Sequence, residues 1–453
     1  MNGQTELSRG NRGSRRGFLK TAVGGVAAAA ASGSLAVRIA SAASTPDVIT
    51  LGFLGDLTRA IGFFNSPRLI GLQYAYQYLW EHEGGIAGRK PVLRWYDHKS
   101  DPTEAVSGFS ILSGKTLLNS SCGSGEQQLL KPRYEAEKFI TFTCSASPGV
   151  IYPLGHVFAT TPYFPNQLGF FADWLVETWD WKGKGRGPRL VSMSYPSAYG
   201  RSHVTAESKA YLKQKGVELL GEIDIPFVIV DATAPLTRAK EMGADWVFTA
   251  ALFATLGPLL KDNHEKGFGL KFAGNSFGVD PAIIPRAGAK AAEAMHGVFG
   301  FYFMDEATDG ISLVKKTWED KWVRPEDRSV GFVQAWMEAF MVKSAVEETL
   351  KRVGRWDRIT PRELVTSIEA WGSRDIKGLG RVTYSKDSRD GKSARIAAVR
   401  DGKWVPLTPW RQGPQLVPKD WLKPVYSSRE PDLRLALAQV AQGNREASGE
   451  PCH

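Results

Sequence analysis

The chain has 453 residues and a formal net charge of +10, with 43% hydrophobic and 23% charged residues. This composition is that of a globular protein, and the length is sufficient for two hydrophobic cores. Six basic residues and one glutamate lie within the first 42 positions, so the remaining 411 residues carry a net charge of only +5. Because this excess is spread thinly and forms no dense basic block, the composition argues against nucleic-acid binding.

The first 42 residues have the pattern of an export signal. Arg15 and Arg16 form a twin-arginine pair ahead of an apolar, alanine-rich stretch at 21–37. Small residues at 40–42 suit a signal peptidase, and no cysteine stands at the cleavage point to carry a lipid. We therefore predict a signal peptide over residues 1–42, export by the twin-arginine translocase, and a soluble periplasmic product.

From residue 48 the sequence alternates short β-branched runs with amphipathic stretches, which predicts βαβ units on parallel sheets. Strands are expected at 48–54, 92–97, 116–119, 139–144, 189–194, 217–223, 245–250 and 270–273. One helix is expected to begin at Pro67 and a second at Asp101. A third should end near residue 138, and two more should cover 170–178 and 202–213. Because the alternation of strands and helices begins again after Pro162, we predict an α/β fold of two doubly wound lobes with a cleft between them. Residues from 409 onward are expected to be irregular.

A series of short motifs makes this prediction more specific. They are GGIAGRK at 84–90, WYD at 95–97, SDPTEA at 100–105, SAYGR at 197–201, GADWVF at 243–248 and DGKWVP at 401–406. In this order, over roughly residues 47–408, they resemble the substrate-binding proteins of branched-chain amino-acid-type ABC transporters, the type I periplasmic binding proteins.

The resemblance implies two Rossmann-like lobes joined by a three-strand hinge, with chain crossings near 162, 302 and 382. The first lobe would comprise residues 43–162 and 303–381, the second 163–302 and 382–408, and the C-terminal extension 409–453. A small solute would bind between the lobes at the C-terminal ends of the strands, where helix N-termini present backbone N–H groups. The closed form would then dock on an inner-membrane ABC permease.

The resemblance also places ligand-binding residues on loops that follow strands of the first lobe. Ser124 is expected to donate a hydroxyl hydrogen bond to a ligand carboxylate or carbonyl, although it could instead cap a helix. Cys144, Ser145 and Ala146 form the second contact loop, where the family often has a threonine whose hydroxyl is missing here.

Aromatic side chains are expected to close the site. Tyr199 is the best candidate from the second lobe, as a wall over the solute. Phe64 and Phe253 occupy, within one residue, positions where the family often carries an aromatic side chain, but core packing explains both equally well.

The loop around Ser276 bears on the ligand. Amino-acid binders of this family place an acidic residue there to pair with the ligand's ammonium group, whereas this chain has Asn275, and the nearest carboxylate is Asp280. A buried ammonium without a counter-charge costs several kcal/mol. We therefore expect a neutral or anionic ligand, an amide or an aromatic compound, rather than a zwitterionic amino acid.

Three cysteines are too few for a disulfide framework or a metal cluster. Cys122 and Cys144 could pair if neighbouring strands bring them together, or they could remain two small buried thiols, which the sequence slightly favours.

The sequence motifs give little support for an enzyme. Residues 274–278 (GNSFG) fit the nucleophile-elbow pattern, but Pro281 interrupts the helix that should follow, and only His296 and His453 lie downstream as partners. No dinucleotide or P-loop motif occurs, and the histidine spacing does not suit a metal. We predict no catalysis, no cofactor and no metal. A sensor of the same fold that presents its ligand to a signalling receptor stays open as an alternative to transport.

Overall fold

The computed structural model describes residues 47–418 and residue 421. The predicted signal peptide, with Arg15 and Arg16, lies outside the described residues, and so does the segment 422–453. The predictions on export and on residues 422–453 therefore rest on the sequence alone.

Sixteen strands are found in the described part of the chain. They are β1 (Val48–Gly55), β2 (Lys90–Asp97), β3 (Asn119–Ser121), β4 (Thr141–Thr143), β5 (Val157–Ala159), β6 (Arg189–Ser194), β7 (Glu218–Asp224), β8 (Trp246–Thr249), β9 (Lys271–Gly274), β10 (Met295–Phe299), β11 (Gly372–Asp375), β12 (Arg381–Ser385), β13 (Ser388–Asp390), β14 (Ser393–Arg400), β15 (Lys403–Pro406) and β16 (Arg411–Gln412).

The helices lie between and over these strands. They are α1 (Gly62–Glu83), α2 (Pro102–Ser113), α3 (Ser124–Ala136), α4 (Pro148–Ile151), α5 (Phe164–Thr178), α6 (Trp181–Lys184), α7 (Ala206–Gln214), α8 (Thr233–Glu241), α9 (Phe253–Glu265), α10 (Ile283–Ala287), α11 (Ala289–Ala292), α12 (Asp309–Asp320), α13 (Val330–Val353) and α14 (Pro361–Glu369). Within the described ranges, none of these helices combines the length and the apolar character needed to cross a membrane.

Two sheets form the framework of two lobes. The first has the order β2-β1-β3-β4-β5 and is parallel throughout. The second has the order β7-β6-β8-β9-β10-β14-β15. In it β14 is antiparallel to both of its neighbours, β10 and β15, and the short strand β16 also pairs with β14. A small antiparallel sheet, β11-β12-β13, stands apart from both. Most central strands are apolar and buried because helices cover both faces of a parallel sheet.

Several element boundaries differ from the prediction. Helix α1 begins at Gly62 rather than Pro67, and Pro67 lies inside it. The residue before the helix, Ile61, makes no side-chain cap hydrogen bond, so the usual start signal was absent from the sequence. Helix α5 begins at Phe164 rather than at residue 170, with a proline in its first turn.

The chain segments that link the lobes lie side by side. Pro162 bridges to Gly391, and Phe301 bridges to Gly380. The chain enters the second sheet at Ser393, after β12 has paired with β11 and β13 with β12 in the small sheet, whereas a crossing was expected near 382. The exact division of the chain into lobes stays a prediction.

The segment after residue 409 is irregular up to residue 418, as expected, apart from the two-residue strand β16. Strand β16 pairs with β14, and the Leu416 backbone N–H donates to Asn166 Oδ1 at 2.7 Å. Leu416 and Val417 are buried. Up to residue 418, this irregular segment therefore packs on the second lobe.

Cys122 and Cys144 form a disulfide with a Cα–Cα distance of 5.1 Å. The cause is strand register, because Ser121 at the end of β3 pairs with Thr143 at the end of β4, and each cysteine is the next residue. The preference for two separate thiols was wrong. The bond ties together the two loops that continue from these strands.

A buried ion pair joins α1 to α13. Arg68 Nη2 donates to Glu338 Oε2 at 2.6 Å, and both side chains are completely buried. Arg68 also donates to Gln334 Oε1 at 2.7 Å and to Ser120 Oγ at 3.0 Å. Burial raises the pKa of Glu338, while Arg68 acts against this. The network thus connects two helices far apart in sequence to strand β3, and its charges are tolerated because they are paired.

Replacing one partner of this pair should destabilise the fold. Arg68→Met should lower the free energy of unfolding by roughly 3 kcal/mol, because it leaves a buried carboxyl without its partner. Urea unfolding would measure the change. Lys316→Met is the control, since the Lys316–Asp320 pair is exposed and should change the stability little. An Arg68→Met/Glu338→Met protein that is no more stable than Arg68→Met would contradict this account.

Removing the disulfide should also destabilise the fold. The two cysteines are 22 residues apart, so Cys122→Ala/Cys144→Ala should lower the free energy of unfolding by roughly 3 kcal/mol. Chemical denaturation with and without reductant would test this. Reductant should weaken the wild type and leave the double variant unchanged; equal sensitivity of both proteins would argue against the bond.

Candidate functional site

A cavity of about 450 Å³ lies between the two lobes, a size suited to a small organic molecule. Loops that follow β1, β2, β3 and β4 line it from one side, and loops that follow β6, β7, β8 and β9 line it from the other. In both sheets the strand order reverses at this edge, between β1 and β3 and between β6 and β8. Such switch points open a crevice at the carboxyl ends of parallel strands.

Five helices begin at the cavity wall. The residues at the starts of α1, α2, α3, α5 and α9 all line it: Ile61, Pro102, Gly123, Phe164 and Leu252. First-turn N–H groups have no partner within their helix, and the N-terminal end of a helix carries partial positive charge. This arrangement favours hydrogen-bond acceptors and negative charge in the cavity.

Aromatic rings from both lobes form one wall. Phe64 of the first lobe packs edge-to-face on Phe277 of the second, with ring centres 5.4 Å apart. Phe164 and Tyr199 meet in the same way at 5.5 Å. The Tyr199 hydroxyl donates to Asn275 Oδ1 at 2.8 Å, which fixes the ring. The wall therefore offers a rigid apolar surface to a flat or hydrophobic solute.

A cluster of serine hydroxyls lies on loops of the first lobe. Ser124 Oγ is 2.6 Å from Ser145 Oγ and 2.5 Å from Ser147 Oγ. The cap of α3 is Gly123, which makes no side-chain hydrogen bond, so the alternative that Ser124 caps this helix is wrong. The Cys122–Cys144 disulfide holds the two serine-bearing loops together, and both cysteines line the cavity.

Glu126 is the acidic residue of the lining, and its side chain is 16% exposed. Burial raises its pKa to about 7, and the nearby Asp56 adds to the rise. Gly123 has a φ of +133°, and any side chain there would collide with the Glu126 carboxyl. Glycine therefore both permits the turn and makes room for the carboxyl to fold back toward the helix start.

His98 stands behind this carboxyl and is completely buried. Its Nδ1 accepts the Ser100 backbone N–H at 3.1 Å, so in the neutral ring the proton is on Nε2, which lies 3.4 Å from Glu126 Oε1. Burial lowers the pKa of His98, which keeps the ring neutral at pH 7. Among the described residues, no lysine or arginine lines the cavity. Glu126 thus has no cation beside it within the lining.

The structure brings five of the predicted ligand-binding residues together at the cavity. They are Phe64, Ser124, Cys144, Ser145 and Tyr199. Their role in binding is untested, but their positions are those expected from loops that follow parallel strands.

Three predicted residues do not line the cavity. Ala146 is buried, and its carbonyl accepts the Phe164 backbone N–H at 3.0 Å. Phe253 packs edge-to-face on Phe63, with ring centres 5.1 Å apart. Ser276 is fully buried and donates its hydroxyl to Gln167 Oε1 at 3.1 Å. Each side chain is used in packing or hydrogen bonding next to the site, and its part in ligand binding stays a prediction.

Two lining residues that were missed from the sequence lie close to predicted ones. Phe277 follows Ser276, and Glu126 lies two positions after Ser124, in the first turn of α3. Asp280, the carboxylate noted from the sequence, does not line the cavity. It is buried, accepts the Ala282 N–H at 2.8 Å, and has its pKa raised to about 6 by burial. The carboxyl that lines the cavity is therefore on the first lobe, where no sequence pattern predicted it.

Solved structures share this fold. A branched chain amino acid ABC transporter protein from Thermus thermophilus with bound valine has a TM-score of 0.71 and 20% identity, covering 81% of this chain and 97% of that one. A fatty acid ABC transporter substrate-binding protein from Thermomonospora curvata has a TM-score of 0.70 and 19% identity, covering 84% and 96%. A solute binding protein from R. palustris in complex with 4-hydroxybenzoate has a TM-score of 0.66 and 16% identity, covering 81% and 98%. The likeness confirms the predicted α/β fold of two lobes.

Sequence comparison agrees with the fold. Leu/Ile/Val-binding protein homolog 3 of Brucella melitensis biotype 1 is 22% identical over 240 residues, or 52% of this chain, and the match spans only 62% of that relative's length. The family model described as "Periplasmic binding protein" matches residues 48–403, well over half of the chain. The resemblance read from the motifs is confirmed, and this chain belongs to the periplasmic binding protein family.

Proposed function

We propose that this protein is an extracytoplasmic solute receptor that captures a small organic molecule between its lobes and delivers it to an inner-membrane ABC permease. The observation that carries the proposal is the interlobe cavity, built from strand-end loops of both lobes. Phe64 of the first lobe and Phe277 of the second both line it and meet in one wall, so a solute bound there touches both halves. A ligand that contacts both lobes favours their closed arrangement and thereby shifts an open–closed equilibrium.

The proposed ligand is a neutral or anionic aromatic compound or amide rather than a zwitterionic amino acid. The aromatic wall, the serine hydroxyls and the converging helix N-termini support this. Asp280, beside the position where the family's amino-acid binders carry their acidic residue, is buried and used by backbone N–H groups. Glu126, the acidic residue of the lining, lies instead next to Ser124, the proposed carboxylate contact.

Export to the periplasm is part of the proposal. The twin-arginine pair Arg15–Arg16 supports passage through the twin-arginine translocase. The Cys122–Cys144 disulfide fits an oxidising compartment.

We propose binding without catalysis. Ser276, the serine of the nucleophile-like motif, donates its hydroxyl to the Gln167 amide oxygen and not to a histidine. His296 lies in β10 and packs against Trp174 and Trp246, with ring centres 5.5 and 4.9 Å away. Neither residue has the partner that nucleophilic catalysis requires.

Calorimetry with a panel of solutes would test the ligand class. Aromatic acids and amides (benzoate, 4-hydroxybenzoate, benzamide) should include a ligand that binds at least roughly tenfold more tightly than leucine, valine or glutamate, because an ammonium group finds no counter-charge near Asn275. Tighter binding of leucine than of every aromatic compound would refute the proposed class.

The aromatic wall should contribute directly to affinity. Tyr199→Ala should weaken binding of the best ligand roughly tenfold or more, because it removes a ring from the cavity wall. Tyr199→Phe should retain most of the affinity, since it keeps the ring and loses only the hydrogen bond to Asn275. Trp322→Ala, at an exposed aromatic residue, is the control. Equal affinities of Tyr199→Ala and the wild type would place the ligand elsewhere.

A further inference from the structure

The cavity contains groups that attract a ligand carboxylate and one group, Glu126, that repels it when ionised. Helix N-termini and serine hydroxyls favour a negatively charged or accepting group beside Ser124. Glu126, two residues away in the same helical turn, places a carboxyl at the same end of the cavity. An ionised Glu126 would repel a ligand carboxylate strongly, because both would be desolvated.

The groups that face Glu126 do not resolve this conflict. His98, from the loop after β2, is neutral and offers one N–H at 3.4 Å. Asp56, from the loop after β1, accepts hydrogen bonds from three backbone N–H groups and from the Ser100 hydroxyl. Tyr134, from α3 itself, is buried, and burial together with Glu126 raises its pKa, so it stays a neutral phenol. None of these groups is a cation, and Asp56 adds repulsion.

Resting on the function proposed above, we infer that the receptor binds its ligand as an organic monocarboxylate together with one proton, which Glu126 holds. The proton comes from solvent, and no covalent bond is formed or broken apart from its attachment to the Glu126 carboxylate. The protonated carboxyl donates a hydrogen bond to one ligand oxygen. The Ser124 hydroxyl and the first-turn N–H groups of α3 donate to the same carboxylate.

The cost of this proton is small near neutral pH. Because burial raises the pKa of Glu126 to about 7, the free protein already carries the proton about half of the time at pH 7. Above that pH each bound carboxylate must bring a proton from solvent. Affinity for a monocarboxylate should therefore fall about tenfold per pH unit above 7 and level off below it.

Calorimetry in buffers of different ionisation enthalpy counts these protons. Benzoate, its neutral amide benzamide and its cationic amine benzylamine are matched probes of similar size. At pH 8 the binding of benzoate should take up about one proton, and at pH 5.5 about none, because Glu126 is then already protonated. Benzamide binding should take up none at either pH.

The variant Glu126→Gln should separate this mechanism from general electrostatics. It keeps a donor at the same place without needing a proton, so benzoate affinity at pH 8 should rise to about the wild-type value at pH 6, and proton uptake should vanish. Glu137→Gln is the matched control, since Glu137 is exposed and caps the far end of α3. It should behave as wild type.

A ligand-free measurement tests the premise. A carboxyl whose pKa rises from 4.5 unfolded to about 7 folded destabilises the fold increasingly as pH rises through that window. Glu126→Gln should therefore raise the melting temperature at pH 8 and change it little at pH 5. An equal effect at both pH values would overturn the inference.

The outcomes distinguish this inference from the broader proposal. Benzoate binding at pH 8 without proton uptake, or preference for benzylamine, would overturn proton-coupled capture and leave the solute-receptor function standing. If none of the acids, amides, amines and amino acids binds, both fail.

Discussion

The Arg68–Glu338 pair is the interaction on which the first lobe depends. It joins helix α1 to helix α13, which the chain reaches only after building most of the second lobe. Two completely buried charges satisfy each other only in one geometry, and Gln334 and Ser120 complete that geometry. Because α1 begins at the cavity, the same pair fixes where Ile61 and Phe64 stand in its wall.

The cavity results from the topology of the two sheets, and a disulfide fixes two of the loops that line it. Both sheets reverse their strand order at the edge that faces the other lobe, so eight strand-end loops converge there. The disulfide then holds two of the first-lobe loops in register and presents Ser124 and Ser145 side by side. Polar groups held in place and aromatic rings in the same lining would orient a solute with a polar head and a flat body.

Glu126 gives this site its particular character. In water a glutamate would be ionised at neutral pH, but burial beside the cavity, and to a smaller extent the nearby Asp56, favour the protonated form. The same helix start that supplies hydrogen-bond donors for an acid also carries the group that could reject it. Protonation of Glu126 would remove the repulsion between the two carboxyl groups. The site would then select ligands whose carboxylate accepts a hydrogen bond from the protonated Glu126.

The sequence by itself determined the α/β class, the repeated strand–helix rhythm and the family, because apolar periodicity and short motifs are local properties. It also predicted that Ser124 and Tyr199 follow strands at the cleft edge. Only the tertiary structure decided which side of each loop faces the cavity, turning Phe253 and Ser276 into packing and hydrogen-bonding residues and exposing Glu126 to the solute space. The pairing of Cys122 with Cys144 likewise required the register of β3 on β4. These outcomes depend on contacts between distant segments, which local sequence patterns do not encode.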